Sequence, residues 1–87
     1  MDFKQLASTI LANVGGKENV DKVVHCATRL RFTLKDESKA QTDELKKTKG
    51  VMAVINAGGQ YQVVIGPDVP AVYQEVITLC GFESAAP

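Results

Sequence analysis

Apolar residues near both ends of the chain recur at the spacing of an amphipathic helix. In the first set they fall at i, i+3, i+4 and i+7, which predicts a helix over residues 2–13 that ends at Gly15-Gly16. The last set predicts a helix over residues 69–80, introduced by Gly66-Pro67-Asp68 and ended by Gly81. Each of these helices has one apolar face, which suits packing against another layer of structure.

Short strands are predicted between these helices, over residues 20–25, 29–35, 51–55 and 61–65. The first is rich in valine, which favours strands. The second alternates strictly between apolar residues and a polar face that carries Arg29 and Arg31. A short helix is also predicted between the second and third strands, with Thr42 as its N-cap and its end near Gly50.

Short links join the first strand to the second and the third to the fourth, so both pairs are predicted to be hairpins. Residues 26–28 form the first turn and residues 56–59 the second. Amphipathic helices beside a strictly alternating strand favour an antiparallel sheet that is covered on one face. The predicted fold class is α+β, a four-stranded antiparallel sheet with about three helices packed on one face.

The amino-acid composition argues against several classes of function. Ten Lys and Arg balance ten Asp and Glu, so there is no global field to hold nucleic acid, and any anion site must be local. Two cysteines, Cys26 and Cys80, with one histidine are too few ligands for a structural zinc site. The cysteines would pair only in an oxidising compartment, yet the N-terminal residues lack the apolar run of a signal peptide. A cytosolic domain with reduced thiols, no metal and no cofactor is therefore expected.

The first turn holds the residues with distinctive chemistry. Positive charge and backbone N–H groups lower a thiol pKa from its usual ~8.5, and Arg29 and Arg31 would supply the charge beside Cys26. Guanidinium groups also match phosphate oxygens, and N–H groups in a tight turn can bind an anion. With the Thr28 hydroxyl, these residues indicate a thiol that handles phosphate. The turn at residues 58–60 would complete the cradle if it lies beside the first.

Simpler interpretations remain open at this stage. Cys26 can be a small buried apolar residue, and the two arginines can be the solvated face of a strand. Two enzyme classes are disfavoured, however. A cysteine phosphatase needs an arginine six positions after the cysteine, where Phe32 stands. A cysteine hydrolase needs a histidine base, and His25 is predicted to point to the opposite face of its strand.

The sequence around Cys26, Thr28, Arg29 and Arg31 closely resembles the enzyme IIB domain of the bacterial phosphoenolpyruvate-dependent sugar phosphotransferase system, in its glucose/sucrose superfamily. The segments HCATRLRF and GGQYQVVIG are most similar to those of β-glucoside-type members, and sucrose-type members come next. The positions that match the family signature are Asn19, Val20, Cys26, Ala27, Thr28, Arg29, Leu30, Phe32, Leu34 and Asp36.

The resemblance implies that Cys26 is a phosphocysteine residue. It would accept a phosphoryl group from a phosphohistidine of the partner enzyme IIA and pass it to a sugar held by the membrane enzyme IIC. Arg29 and Arg31 would neutralise the thiophosphate. The residues expected to frame it are Thr28, Gly58, Gly59 and Gln60.

The same resemblance predicts how the chain is organised. Residues 1–82 would form the enzyme IIB domain, and residues 83–87 a linker or tail. The domain would lie on the cytoplasmic side of a membrane transporter, as the N-terminal part of a longer chain or as a free-standing subunit. The sugar would be a β-glucoside. The alternative function is a non-catalytic regulatory or binding module that has the same fold.

Overall fold

Within residues 2–82, which the computed structural model describes, three α-helices and four strands follow one another in the predicted order. They are α1 (Phe3–Asn13), β1 (Val20–His25), β2 (Arg29–Leu34), α2 (Thr42–Lys47), β3 (Ala53–Ala57), β4 (Gln60–Val64) and α3 (Val69–Cys80). Short 3₁₀ turns, Lys17–Asn19 and Glu37–Lys39, occupy positions for which no element was predicted. No helix in this part of the chain is both long and apolar enough to cross a membrane.

The strands form one antiparallel sheet in the order β1-β2-β4-β3, which confirms both hairpins and the predicted α+β class. One face of β2 supplies Leu30 and Phe32 to the core, where both are fully buried. Helix α1 packs against α3, and α3 contacts β1 and β2. The other face of β2, which carries Arg29 and Arg31, stays partly exposed.

The second hairpin is tighter than the sequence suggested. β3 was predicted over residues 51–55 and β4 over residues 61–65, but pairing continues to Ala57 opposite Gln60. Gly58 and Gly59 form the whole turn, with φ values of 60° and 78°. A two-residue turn with positive φ at both positions matches the twist of the flanking strands, so the ladder extends up to it.

Helix α2 begins one residue earlier than predicted, because its N-cap is Gln41 rather than Thr42. The Thr42 hydroxyl lies 2.6 Å from the hydroxyl of Tyr61, a side chain that is only 2% exposed. A buried phenol needs a hydrogen-bond partner, so this threonine serves the core instead of capping the helix.

Buried Asn19 connects the end of α1 to the end of β2. Its side-chain Nδ2 donates to the carbonyl oxygens of Val14 at 2.8 Å and Asp36 at 2.9 Å, and its Oδ1 accepts from the Asp36 N–H at 3.0 Å. A Cβ at Gly15 would lie 2.5 Å from this Nδ2, and Gly15 has φ +105°. Asn19 therefore fixes the start of β1 relative to the end of β2.

Replacing Asn19 by Ala should lower the free energy of unfolding by about 3 kcal/mol, because one buried and two partly buried hydrogen bonds are lost at ~1 kcal/mol each. Urea denaturation measures the change. The control is Asn56→Ala, which removes one exposed contact with Glu37 and should change stability by about 0.5 kcal/mol or less. Equal losses in the two variants would contradict the role given to Asn19.

Candidate functional site

Cys26 directly follows β1 and lies beside the polar face of β2. Its N–H donates to the Arg29 carbonyl oxygen at 3.0 Å, and Val24, two residues earlier, pairs with Arg31. Side chains alternate along a strand, so Cys26, Arg29 and Arg31 project from the same face of the sheet. The structure thus brings together the three residues on which the sequence prediction depended.

The end of β4 supports this turn. The Thr28 carbonyl oxygen accepts two hydrogen bonds, from the N–H of Ile65 at 2.8 Å and of Gly66 at 2.9 Å. Gly66 has φ +103°, a conformation that residues with a Cβ rarely adopt. From the sequence, Gly66 was assigned only to the start of the last helix, so this support for the Cys26 turn was missed.

The surroundings of Cys26 lower its thiol pKa to about 7. The largest cause is the backbone N–H of Thr28, followed by the Arg31 guanidinium; partial burial opposes them, and the Arg29 N–H adds a smaller lowering effect. Cys26 lies outside the buried core, so it is not the buried apolar residue of the simpler interpretation. The turn therefore holds a thiol that is substantially ionised at neutral pH.

Cys80 differs from Cys26 in both position and chemistry. It packs against the core from the end of α3, and burial raises its thiol pKa. Its side chain remains partly exposed at the edge of the core. Cys26 is the thiol suited to nucleophilic chemistry.

The two arginines are held by a line of amide side chains on β4. Arg29 Nη1 donates to Gln62 Oε1 at 2.9 Å, and Arg31 Nη1 donates to Gln60 Oε1 at a longer 3.4 Å. Gln62 Nε2 also donates to Gln60 Oε1, at 3.3 Å. Gln62 is 8% exposed and was missed from the sequence, although its alternation with Gln60 placed both on one face.

Arg31 retains hydrogen-bonding capacity. Its Nε is buried and has no partner among the described residues. The single ion pair found within residues 2–82 joins Lys47 to Glu44 in α2, so no carboxylate in that range neutralises Arg29 or Arg31. Both guanidinium charges are therefore available to an anion at Cys26.

The turn that carries Gly58 and Gly59 lies at the far end of β4, contrary to the prediction that it would frame Cys26. Arg29 pairs with Val64 in antiparallel β2 and β4, so the start of β4 lies beside the end of β2. At ~3.3 Å per residue, about 16 Å of strand separates this turn from the Cys26 end. Of the residues predicted there, Gln60 alone reaches the site, through its bond to Arg31.

Comparisons with known proteins identify relatives of this chain. The family model of the phosphotransferase system, EIIB, matches residues 8–41. The chain is 58% identical over 86 residues to the PTS system beta-glucoside-specific EIIBCA component of Halalkalibacterium halodurans, covering 99% of this chain and 14% of that protein. It is 40% identical over 88 residues to the PTS system sucrose-specific EIIBCA component of Pediococcus pentosaceus, covering 100% of this chain and 13% of that protein. The chain thus spans about one seventh of the length of these relatives.

A solved structure shares the fold. It is the crystal structure of one domain of the PTS system IIabc component from Clostridium difficile, which superposes with a TM-score of 0.83 at 32% sequence identity. The match covers 88% of this chain and 81% of that domain. Both the sequence and the fold therefore lead to the same family.

Alkylation by iodoacetamide, followed by mass spectrometry of the Cys26 and Cys80 peptides, should show Cys26 reacting with a midpoint near pH 7, because only the thiolate reacts. Arg31→Ala should move this midpoint upward, toward the ~8.5 of an ordinary cysteine. The matched control is Lys35→Ala, which removes an exposed charge beyond the far end of β2 and should leave the midpoint unchanged. A midpoint near 8.5 in the unmodified protein would refute the assigned electrostatics.

Proposed function

Because the chain belongs to the EIIB family of the phosphotransferase system, we propose that it is a phosphoryl carrier in sugar uptake, with Cys26 as the residue that is phosphorylated. The observation that carries this proposal is the placement of a partly exposed Cys26 on the same face of the sheet as Arg29 and Arg31. The Thr28 N–H, the Arg31 guanidinium and the Arg29 N–H lower the pKa of its thiol. Neutral hydrogen-bond donors and a cation around a sulfur atom also suit a phosphoryl group bound to that sulfur.

Two transfers make up the reaction. In the first, the Cys26 thiolate attacks the phosphorus of a phosphohistidine on enzyme IIA; the S–P bond forms, the P–N bond breaks, and the imidazole nitrogen takes a proton from solvent. In the second, a sugar hydroxyl oxygen attacks the same phosphorus. The O–P bond forms, the S–P bond breaks, the thiolate is released, and the hydroxyl proton passes to the membrane partner or to water.

The residues of this chain act by position and charge. With a pKa of about 7, roughly half of the Cys26 thiols are already ionised at neutral pH, so no general base is required for the first transfer. Arg31 stabilises the thiolate before transfer, and its guanidinium charge stays beside the sulfur when that atom carries a phosphoryl group. The Arg29 guanidinium is held by Gln62 and supplies a second charge on the same face.

Two partners must reach Cys26 in turn. The polar face of β2 stays partly exposed, which leaves room for an enzyme IIA domain and then for enzyme IIC with its sugar. The names of the relatives, EIIBCA components, support partners of these two kinds. The Halalkalibacterium halodurans relative is named beta-glucoside-specific and is more similar to this chain, at 58% identity, than the sucrose-specific relative at 40%, which supports a β-glucoside substrate. We further propose that the domain lies on the cytoplasmic side of the membrane.

The proposed domain comprises residues 1–82. The linker or tail assigned to residues 83–87 lies outside the residues that the structure describes. A non-catalytic binding module with this fold would have no use for a thiol with a lowered pKa, which favours the carrier over that alternative.

Incubation with phosphoenolpyruvate, the general phosphotransferase proteins and a β-glucoside-type enzyme IIA domain should add one phosphoryl group, read as intact mass. Cys26→Ser should abolish this addition, because a serine hydroxyl is not ionised at neutral pH. Cys80→Ser is the control and should be phosphorylated normally. Phosphorylation that persists without Cys26, or none in the unmodified protein, would refute the proposed function.

Gln62→Leu should slow phosphoryl transfer by about ten- to a hundredfold, because the Arg29 guanidinium loses the amide that orients it. The alkylation midpoint of Cys26 should stay near 7, since the side chain of Arg29 does not contribute to the lowered pKa. Stopped-reaction assays of phosphoprotein formation and of sugar phosphorylation measure the rates. Unchanged rates would show that the orientation of Arg29 is unimportant.

A further inference from the structure

His25 contacts the Cys26 turn although its side chain projects from the other face of the strand. Its ring packs on Tyr73 of α3, with ring centroids 4.4 Å apart and an interplanar angle of 51°. In this position Nδ1 lies 2.9 Å from the carbonyl oxygen of Cys26. A carbonyl oxygen only accepts hydrogen bonds, so Nδ1 must be the donor and carry the proton.

This contact replaces a bond that a closed hairpin would make. The two residues that flank a two-residue turn usually exchange both N–H···O bonds. Here Cys26 N–H donates to the Arg29 carbonyl oxygen at 3.0 Å, but within the described residues the reciprocal bond from Arg29 N–H to the Cys26 carbonyl oxygen is not made. The carbonyl is satisfied by His25 instead, which leaves the Arg29 N–H free for the sulfur.

We propose that His25 is a positioning residue, which holds the Cys26 carbonyl oxygen through Nδ1–H and so keeps the turn open toward the sulfur. Without this donor, the Cys26 carbonyl oxygen would lack a hydrogen bond. Accepting the Arg29 N–H would restore one and would close the turn. The Arg29 N–H would then no longer help to lower the pKa of the Cys26 thiol. The consequence for phosphoryl transfer rests on the proposed function, whereas the effect on the thiol does not.

Tyr73 fixes the ring in this orientation. Tyr73 is 8% exposed and belongs to the core, whereas His25 itself is exposed. An exposed side chain that is held only by solvent would sample several rotamers, and packing on a buried ring restricts them. The imidazole therefore has two separable roles, packing on Tyr73 and donating to Cys26, and substitutions can remove one without the other.

Three variants separate these roles. His25→Asn places an amide nitrogen close to the position of Nδ1 and should keep the donor. His25→Phe keeps a ring against Tyr73 but has no donor. His25→Gln has a donor that lies one bond further from the backbone, near the position of Nε2, so it is the polar control if the phenylalanine variant does not fold. Thermal melts establish that each variant is folded.

The pH dependence of Cys26 alkylation is the main measurement. We expect the midpoint to rise by about half a unit or more in His25→Phe and His25→Gln, because one N–H donor to the sulfur is lost, and to stay near the unmodified value in His25→Asn. In NMR titrations the Arg29 amide proton should follow thiol ionisation in the unmodified protein and in His25→Asn only. Both outcomes together would support the proposal.

Two results would overturn it. One is an unchanged midpoint in a folded His25→Phe or His25→Gln protein. The other is an equal rise in His25→Asn and His25→Gln, which would mean that the imidazole acts in some way other than donation from Nδ1. The phosphorylation assay keeps this proposal distinct from the proposed function. If the midpoints change as expected but the unmodified protein accepts no phosphate, the role of His25 stands and the carrier function fails.

Discussion

The antiparallel pairing of β2 with β4 joins the two hairpins, and both the core and the site depend on its register. Leu30 pairs with Val63 on the buried face, while Arg31 pairs with Gln62 on the opposite face. A slip of one residue would move every side chain of β4 to the other face, which would bury the amides and expose the core. The same pairing brings the end of β4 to the Cys26 turn, where Ile65 and Gly66 bind the Thr28 carbonyl. One register therefore sets both the stability of the sheet and the surroundings of the thiol.

Any anion that binds at the Cys26 turn must be held by nearby groups. With no formal net charge, the chain has no global field, and the site relies on groups within one turn and one strand face. Arg31 acts on the sulfur directly, whereas Arg29 contributes its backbone N–H to the sulfur and its guanidinium to Gln62. The two arginines were predicted to have the same role, and the structure gives them different ones. His25, on the other side of the strand, holds the backbone carbonyl of Cys26, which neither arginine does.

Much of the fold could be predicted from the sequence, because it follows from local patterns. Alternation in β2 was enough to place Arg29 and Arg31 on one face, and the shortness of the two links was enough to predict both hairpins. The relation between the hairpins is not local, and nothing in either hairpin specifies how they pair. For that reason Gly58 and Gly59 were assigned to the wrong end of the sheet and Gln62 was missed. Thr42 was assigned as a helix N-cap from its local sequence. Its actual hydrogen-bond partner, Tyr61, lies in a distant strand and could not be recognised in that way.

We expect the Thr28 and Arg29 N–H groups, which lower the pKa of the Cys26 thiol, to donate to the phosphoryl group once Cys26 is phosphorylated. The most direct test is an NMR comparison of backbone amides before and after phosphorylation of Cys26. Donation to a charged oxygen strengthens a hydrogen bond, so the amide protons of Thr28 and Arg29 should show the largest downfield shifts in the chain. Shifts centred on Gly58 and Gly59, with Thr28 and Arg29 unchanged, would contradict the account.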